Sequence, residues 1–237
     1  MFSPKPGYVL VDADYSQIEL RVLAHIAKDK VMQEAFKAGM DIHTVTASQV
    51  FGVEPEQVTA LQRRHAKAVN FGIVYGISEF SLAEDIGVSR YEAKDYIESY
   101  LANYQGVRAY MKQVVADARE CGFTQTMYGR KRYIPELKSS NFNVRQGAER
   151  IALNTPIQGT AADLIKLAML RVDRALRENH PEAKLLLQVH DELIVECPEE
   201  IAEQIASLVS QEMERVADLS IPLVAEAKWG KSWFDAK

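Results

Sequence analysis

Residues 8–21 read YVLVDADYSQIELR, and no other stretch of the 237-residue chain constrains its fold as tightly. A short apolar run, Tyr8 to Val11, ends in two acids, Asp12 and Asp14. A helix-like pattern begins near Ser16, with Ile18, Val22, Leu23 and Ile26 on one side. This predicts a strand that delivers a carboxylate to its C-terminal end, where a sheet opens onto a crevice. A lone Asp in that position also suits a turn or a helix cap. By itself the stretch leaves both readings open.

A second stretch, Leu185 to Val195, reads LLLQVHDELIV and places His190-Asp191 where two apolar arms would turn. Two-residue hairpin turns favour Asn-Gly or Asp-Gly because the backbone needs positive φ. His-Asp-Glu is poor turn chemistry, and a local rule broken between good strands marks a candidate working site. Two strands would then each carry an acid at the tip. Two carboxylates about 6 Å apart repel by about 3 kcal/mol at an effective dielectric near 20. That is about two pKa units, so the pair either shares a proton or holds cations. Magnesium favours one or two carboxylates plus phosphate oxygens, and paired ions stabilise both attacking and leaving oxygens in phosphoryl transfer.

The third stretch favours the metal site over the proton-sharing dyad. Arg63 to Gly76 reads RRHAKAVNFGIVYG, with Arg63, Lys67, Phe71 and Tyr75 spaced by four. On a helix these side chains form one slowly turning stripe. Cations come first and aromatics after, with no acid between Arg63 and Gly76. A solvated face mixes both signs, and a core stripe excludes Arg and Lys. Two cations suit a polyphosphate and the rings suit a base or sugar.

DYSQIELR at Asp14–Arg21, RRxxKxxNFGxxYG at Arg63–Gly76 and VHDE at Val189–Glu192 occur in this order. They resemble the three signature motifs of family A DNA polymerases, and the resemblance runs from about Phe2 to Lys237. It implies two-metal nucleotidyl transfer from a dNTP to a primer 3′-hydroxyl. Asp14, Asp191 and Glu192 would be the catalytic acids. Two magnesium ions would sit on Asp14, Asp191 and the backbone carbonyl of Tyr15, with Glu192 supporting. Gln17, Glu19, His43, Arg63, Lys67, Phe71 and Tyr75 would contact the dNTP. Arg150, Asn154, Gln158 and His190 would contact primer–template DNA. Glu19 and Asn70-Phe71-Gly72 favour DNA over the competing single-subunit RNA polymerases, because in this family a glutamate at that place crowds the sugar 2′-position. A nucleic-acid-binding module without catalysis is the other competitor, and the presence of all three acids argues against it. The family also carries a thumb and a palm segment with a TGRLSS-like motif upstream, which this sequence lacks. The 237 residues alone are therefore expected to extend primers poorly.

At 47% hydrophobic content the chain has material for a sizeable core. No apolar run reaches membrane-spanning length, the opening MFSPKPG is no signal peptide, and two cysteines suggest a reducing compartment. Those features predict a cytoplasmic protein with no membrane partner, nucleoid-associated if bacterial, and it is expected as a monomer. The net charge of −5 argues superficially against nucleic acid, but its distribution matters more. Arg119 to Arg150 holds seven basic residues against three acidic, and Glu178 to Glu214 ten acidic against Lys184 alone.

The remaining pattern predicts one helix from Gln17 to Ala38 and another from Asp41 to Phe51. His43, near the start of the latter, reads on sequence alone as a cap or surface residue. Shorter helices follow from Ser78 and from a Ser89–Glu92 capping box, with Gly106 separating the next. Phe123 to Pro135 reads as a hairpin with a basic tip, either a solvated turn or a phosphate contact. A helix from Asn143 is expected to stop at Pro156 and restart at Gln158 or Thr160. Arg150, Asn154 and Gln158 lie on one side of that pair, where amides and arginine either read minor-groove acceptors or are satisfied inside the fold. A helix from Pro198 to Ala217 and a strand from Ile221 to Ala227 complete the chain. Strands at both ends and a helical middle predict an α+β fold, a split antiparallel palm with a helical fingers insertion. The boundaries are set at 1–30 for the first palm part, 31–140 for the fingers and 141–237 for the second palm part.

Overall fold

The computed structural model describes residues 2–237. It is an α+β structure that divides into two compact units, one made of Met1–Ile18 with Ala161–Lys237 and the other of Glu19–Thr160.

The first unit is organised by β1 (Tyr8–Tyr15). Its Val9, Val11, Ala13 and Tyr15 are at most 2% exposed, which is one side of a strand by simple alternation. Each large apolar side chain so buried contributes about 1.5–3 kcal/mol. Against that side packs α9 (Ala202–Glu214), burying Ala202, Ile205, Ala206, Val209 and Met213 along one helical stripe. Tyr15 pins the two together by donating its hydroxyl to the Met213 carbonyl at 2.7 Å. The opposite face of β1 therefore carries Leu10, Asp12 and Asp14 together. Around it stand β4 (Lys184–Val189), β5 (Glu192–Pro198) and β6 (Ala225–Gly230), in the antiparallel order β4-β5-β1-β6. The last strand starts later than the Ile221 expected from the sequence, and the expected helix from Pro198 opens instead as a single 3-10 turn before α9.

The second unit holds α1 (Ile18–Ile26) from Glu19 onward, α2 (Lys30–Lys37), α3 (Ile42–Phe51), α4 (Ala60–Val74), α5 (Glu79–Ile86), α6 (Arg90–Asn103) and α7 (Gln105–Cys121). A short hairpin of β2 (Phe123–Gln125) and β3 (Lys131–Tyr133) precedes α8 (Phe142–Asn179), whose residues to Thr160 belong here. Three sequence expectations are corrected. The helix expected from Gln17 to Ala38 is two, because Lys28 takes φ 51° and Asp29 caps a new start by accepting from the Met32 amide at 3.1 Å. The other oxygen of Asp29 accepts from the Gly106 and Val107 amides at 2.8 and 3.3 Å, at the beginning of α7. The break between α6 and α7 falls at Tyr104, and Gly106 serves close approach: a Cβ there would lie 2.7 Å from the Asp29 Cα.

Pro156 does not interrupt α8. Proline removes the amide that would bond Ala152. The freed Ala152 carbonyl accepts the Thr124 hydroxyl at 3.4 Å, so the helix continues with its acceptor occupied.

Candidate active site

The β1–β5 register sets Asp14 opposite Glu192, and the Tyr15 amide donates to the Asp191 carbonyl at 3.3 Å. His190 turns the corner with φ 54°, a left-handed conformation that its carbonyl, accepting from Gln188 Nε2, helps to hold. Two strand tips thus bring Asp14, Asp191 and Glu192 together. Asp12 joins them from two residues upstream on the same face of β1. Asp12, Asp14, Glu192, Glu226, Lys228 and Lys237 line a cavity of about 240 Å³.

The acids raise one another's affinity for protons. Burial pushes the Asp14 carboxyl up to about 6, with Asp191, Glu192 and Asp12 adding repulsion and Lys237 opposing it. Burial and the neighbouring Glu192 also raise Asp12. Asp191 rises mainly through burial, with His190 and Lys237 working the other way. Lys237 donates to Glu192 Oε1 at 2.6 Å, and Trp233 Nε1 donates to Asp12 Oδ2 at 2.9 Å. The other oxygens, Glu192 Oε2 and Asp12 Oδ1, are buried with no hydrogen-bond partner. Unpaired buried carboxylate oxygens are costly in a folded protein.

This is a donor set for a hard divalent cation. Its oxygens are all carboxylate or carbonyl, two of them lack partners, and mutual repulsion favours a positive guest. Among the described residues no group of three or more His, Cys, Asp or Glu is placed to hold a metal ion without further ligands. One or two carboxylates with room for substrate oxygens is the arrangement magnesium prefers. Sequence reasoning did not assign Asp12 a role, although its spacing from Asp14 puts it on the same strand face. It gave no signal for Trp233 or Lys237.

In the second unit, α4 starts at a capping box in which the Thr59 hydroxyl accepts from Gln62 and Gln62 accepts from the Thr59 amide. Tyr75 ends that helix and donates its hydroxyl to Glu19 Oε2 at 2.9 Å, joining two residues predicted from separate motifs. The Phe71 and His43 rings lie 5.8 Å apart at 43°. His43 is buried, not a surface cap; the cap of α3 is Asp41. Arg63 donates to Asp41 through Nε and Nη2. Burial pushes the Asp41 carboxyl up, but its bonds from Arg63 and Thr44 more than offset this and hold it at about 2. Lys67 is exposed. Burial drives His43 down to about 4, with Asp41 opposing and the Arg63 and Lys67 charges assisting.

Gln17 takes φ 51° immediately before α1. On α8, Arg150 and Gln158 are exposed and Asn154 Oδ1 is buried without a partner. Gly76, at φ 66°, lies against Arg150: a Cβ there would meet Arg150 Cγ and Leu153 Cδ1 at 3.3 Å.

The sequence matches the family model described as DNA polymerase family A over residues 1–235. The chain belongs to DNA polymerase family A. It is 53% identical over its whole length to DNA polymerase I of Lactococcus lactis subsp. cremoris, covering 27% of that protein. DNA polymerase I of Bacillus subtilis is 54% identical over 97% of the chain, which covers 26% of it. A solved structure, the POL domain of Pol1 from M. smegmatis in complex with DNA primer-template and dNTP, matches with a TM-score of 0.94 and 45% identity. That match covers 99% of this chain and 41% of the other. The chain therefore spans about a quarter of the length of its curated family A relatives. No helix among the described residues is long and apolar enough to cross a membrane.

Proposed function

We propose that this chain is the catalytic part of a template-directed DNA polymerase that joins dNTPs to a primer 3′-hydroxyl. The observation that carries the reading is the meeting of Asp14 with Asp191 and Glu192 at the tips of β1 and β5, where Glu192 Oε2 and, two residues upstream, Asp12 Oδ1 are buried without partners. Asp14, Asp191 and the Tyr15 carbonyl are the residues that would hold two magnesium ions. Bound there, such ions lower the pKa of the primer hydroxyl and neutralise charge on the departing pyrophosphate. Glu192 supports the site and keeps Lys237 close to the acids.

Arg63 and Lys67 bind the triphosphate, Arg63 after exchanging Asp41 for phosphate oxygens, a partner of similar bidentate geometry. His43 and Gln17 add polar contacts to the nucleotide, and Phe71 packs on it. Glu19, held by Tyr75, crowds the 2′-position of the sugar. Arg150, Asn154, Gln158 and His190 contact primer–template DNA, and their polar and cationic groups match acceptors on bases and phosphates. Residues 1–30 and 141–237 are the palm and residues 31–140 the fingers, and the protein works as a cytoplasmic monomer. The M. smegmatis relative, solved with primer-template and dNTP, supports both partners.

The test is primer extension by a full-length polymerase carrying this segment. Asp14→Ala and Asp191→Ala are each expected to lose about 10³-fold or more in rate, several kcal/mol of transition-state stabilisation. Duplex affinity should change little. Near wild-type extension by either variant would remove the metal assignment.

A further inference from the structure

A line of buried polar groups runs through the second unit. Tyr104, between α6 and α7, meets Thr46 Oγ1 of α3 at 2.9 Å. Thr46 Oγ1 bonds Asn70 Oδ1 of α4 at 3.1 Å, and Asn70 Nδ2 bonds His43 Nδ1 at 3.1 Å. Thr46, Asn70 and Tyr104 are 0% exposed and His43 2%.

Counting protons fixes the direction of this line. Burial pushes the Tyr104 phenol up to about 12, so it keeps its proton. Thr46 is the one hydrogen-bond partner of that hydroxyl among the described residues. Tyr104 therefore donates to Thr46, since the reverse direction would leave a buried O–H without an acceptor. Thr46 has one hydroxyl proton and gives it to Asn70 Oδ1. The Asn70 amide then turns its NH₂ toward His43, and Nδ1 must accept. The ring is left neutral with its proton on Nε2.

A staple whose purpose was to join α3 to α4 would satisfy its groups at both ends. This one ends on Nε2, a nitrogen with no hydrogen bond among the described residues. Three charged groups act on the ring: Asp41 at the start of α3, and Arg63 and Lys67 on α4. Burial above all, and then the two cations, disfavour an imidazolium there, against the opposing pull of Asp41. A neutral N–H donor can therefore sit among the phosphate-binding cations without adding to their mutual repulsion.

We propose that Asn70 is a positioning residue, oriented by Tyr104 through Thr46, that presents His43 to an anionic oxygen of the nucleotide as a neutral Nε2–H donor. This rests on the nucleotide site proposed above, but the first measurement needs no nucleotide. In the ¹⁵N-histidine-labelled chain, His43 should show the Nε2–H tautomer and no titration between pH 5.5 and 8.5. Asn70→Asp keeps the volume and replaces the donor with a carboxylate, so Nδ1 should gain a proton and the midpoint of His43 should rise by about 2 units, a 100-fold change in proton affinity. Tyr104→Phe should give a mixture of the two neutral tautomers, because Thr46 and Asn70 can then reverse. A wild-type His43 that carries its proton on Nδ1, or that titrates near 6.5, overturns the relay. So does an Asn70→Asp chain that remains folded by circular dichroism with an unchanged His43 signal. In the full-length polymerase, a dNTP with Mg²⁺ should shift the Nε2 resonance of His43. If the relay signatures hold and that shift is absent, the nucleotide reading fails instead.

Discussion

Arg63 and Asp41 form a two-point ion pair, Nε to Oδ2 at 2.6 Å and Nη2 to Oδ1 at 3.2 Å. The same carboxylate accepts from the His43 and Thr44 amides at 3.4 and 3.1 Å, so one acid caps α3 and restrains a cation predicted to bind phosphate. Both side chains are substantially exposed, so the pair itself contributes little in water.

Asp41 yields a stability prediction with a definite sign. Its folded value, about 2, lies below the ordinary carboxylate value near 4. Its contribution is therefore complete above pH 4 and is lost as pH falls through 2. Asp41→Ala should cost about 1 kcal/mol at pH 7 through loss of the cap. In urea titrations the gap between wild type and Asp41→Ala should narrow from pH 5 to pH 2. A gap of constant size would contradict the ion pair.

Asp14 carries the opposite sign. Its carboxyl is held up at about 6, so its favourable contribution is full below about pH 4 and disappears as pH rises through 6. Asp14→Asn should be more stable than wild type at pH 7.5, with the difference shrinking toward pH 5. Mg²⁺ should raise the wild-type Tm more at pH 7.5 than at pH 5, because the ion needs ionised carboxylates. Melts of both proteins with and without Mg²⁺ decide it, and parallel pH curves would count against the repelling acids.

Sugar selection should respond to the Glu19–Tyr75 contact. Glu19→Ala removes the carboxylate that Tyr75 holds and should admit ribonucleotides. Phe71 has no hydroxyl, and Phe71→Tyr should supply one that substitutes for a missing 3′-hydroxyl in dideoxynucleotides. A polar site can discriminate by up to about 10⁴-fold, so both changes should be large in competition assays on a full-length polymerase. Changes under about threefold would argue against both assignments.

The continuous α8 predicts a particular non-additivity. Thr124→Val removes the hydroxyl that occupies the Ala152 carbonyl and should cost about 1 kcal/mol. In a Pro156→Ala background an amide can take that carbonyl, and Thr124→Val should then cost far less. A double-mutant cycle in urea measures the difference. Equal costs in both backgrounds would mean that the hydroxyl does not complete the helix.

What the sequence made legible was local. The YVLVDADY strand, the awkward His190-Asp191 turn, the stripe from Arg63 to Tyr75 and the Ser89–Glu92 capping box each carry their signal within a few residues, and the structure shows each element. The misses depend on distant partners. Pro156 reads as a stop unless Thr124 is known to stand beside Ala152. Gln17 to Ala38 reads as one helix unless Asp29 is known to face Gly106. His43 reads as a surface residue because nothing near it names Asn70. Lys237 and Trp233 reach the acids from the far end of the chain, and their spacing carries no trace of it.

Asp29 has a further consequence, for the order in which the molecule assembles. Its two oxygens cap the starts of two helices, one accepting from Met32 three positions on and the other from Gly106 and Val107, 77 and 78 positions on. Closing a loop of that length is entropically slow, so α7 cannot gain its cap until most of the intervening chain has been gathered. Amide hydrogens in the first turns of α2 and α7 should then exchange in a common opening event, at one shared rate under conditions where each opening leads to exchange. Loss of this one carboxylate, as in Asp29→Ala, would separate them into two independent openings and make the second unit melt in pieces.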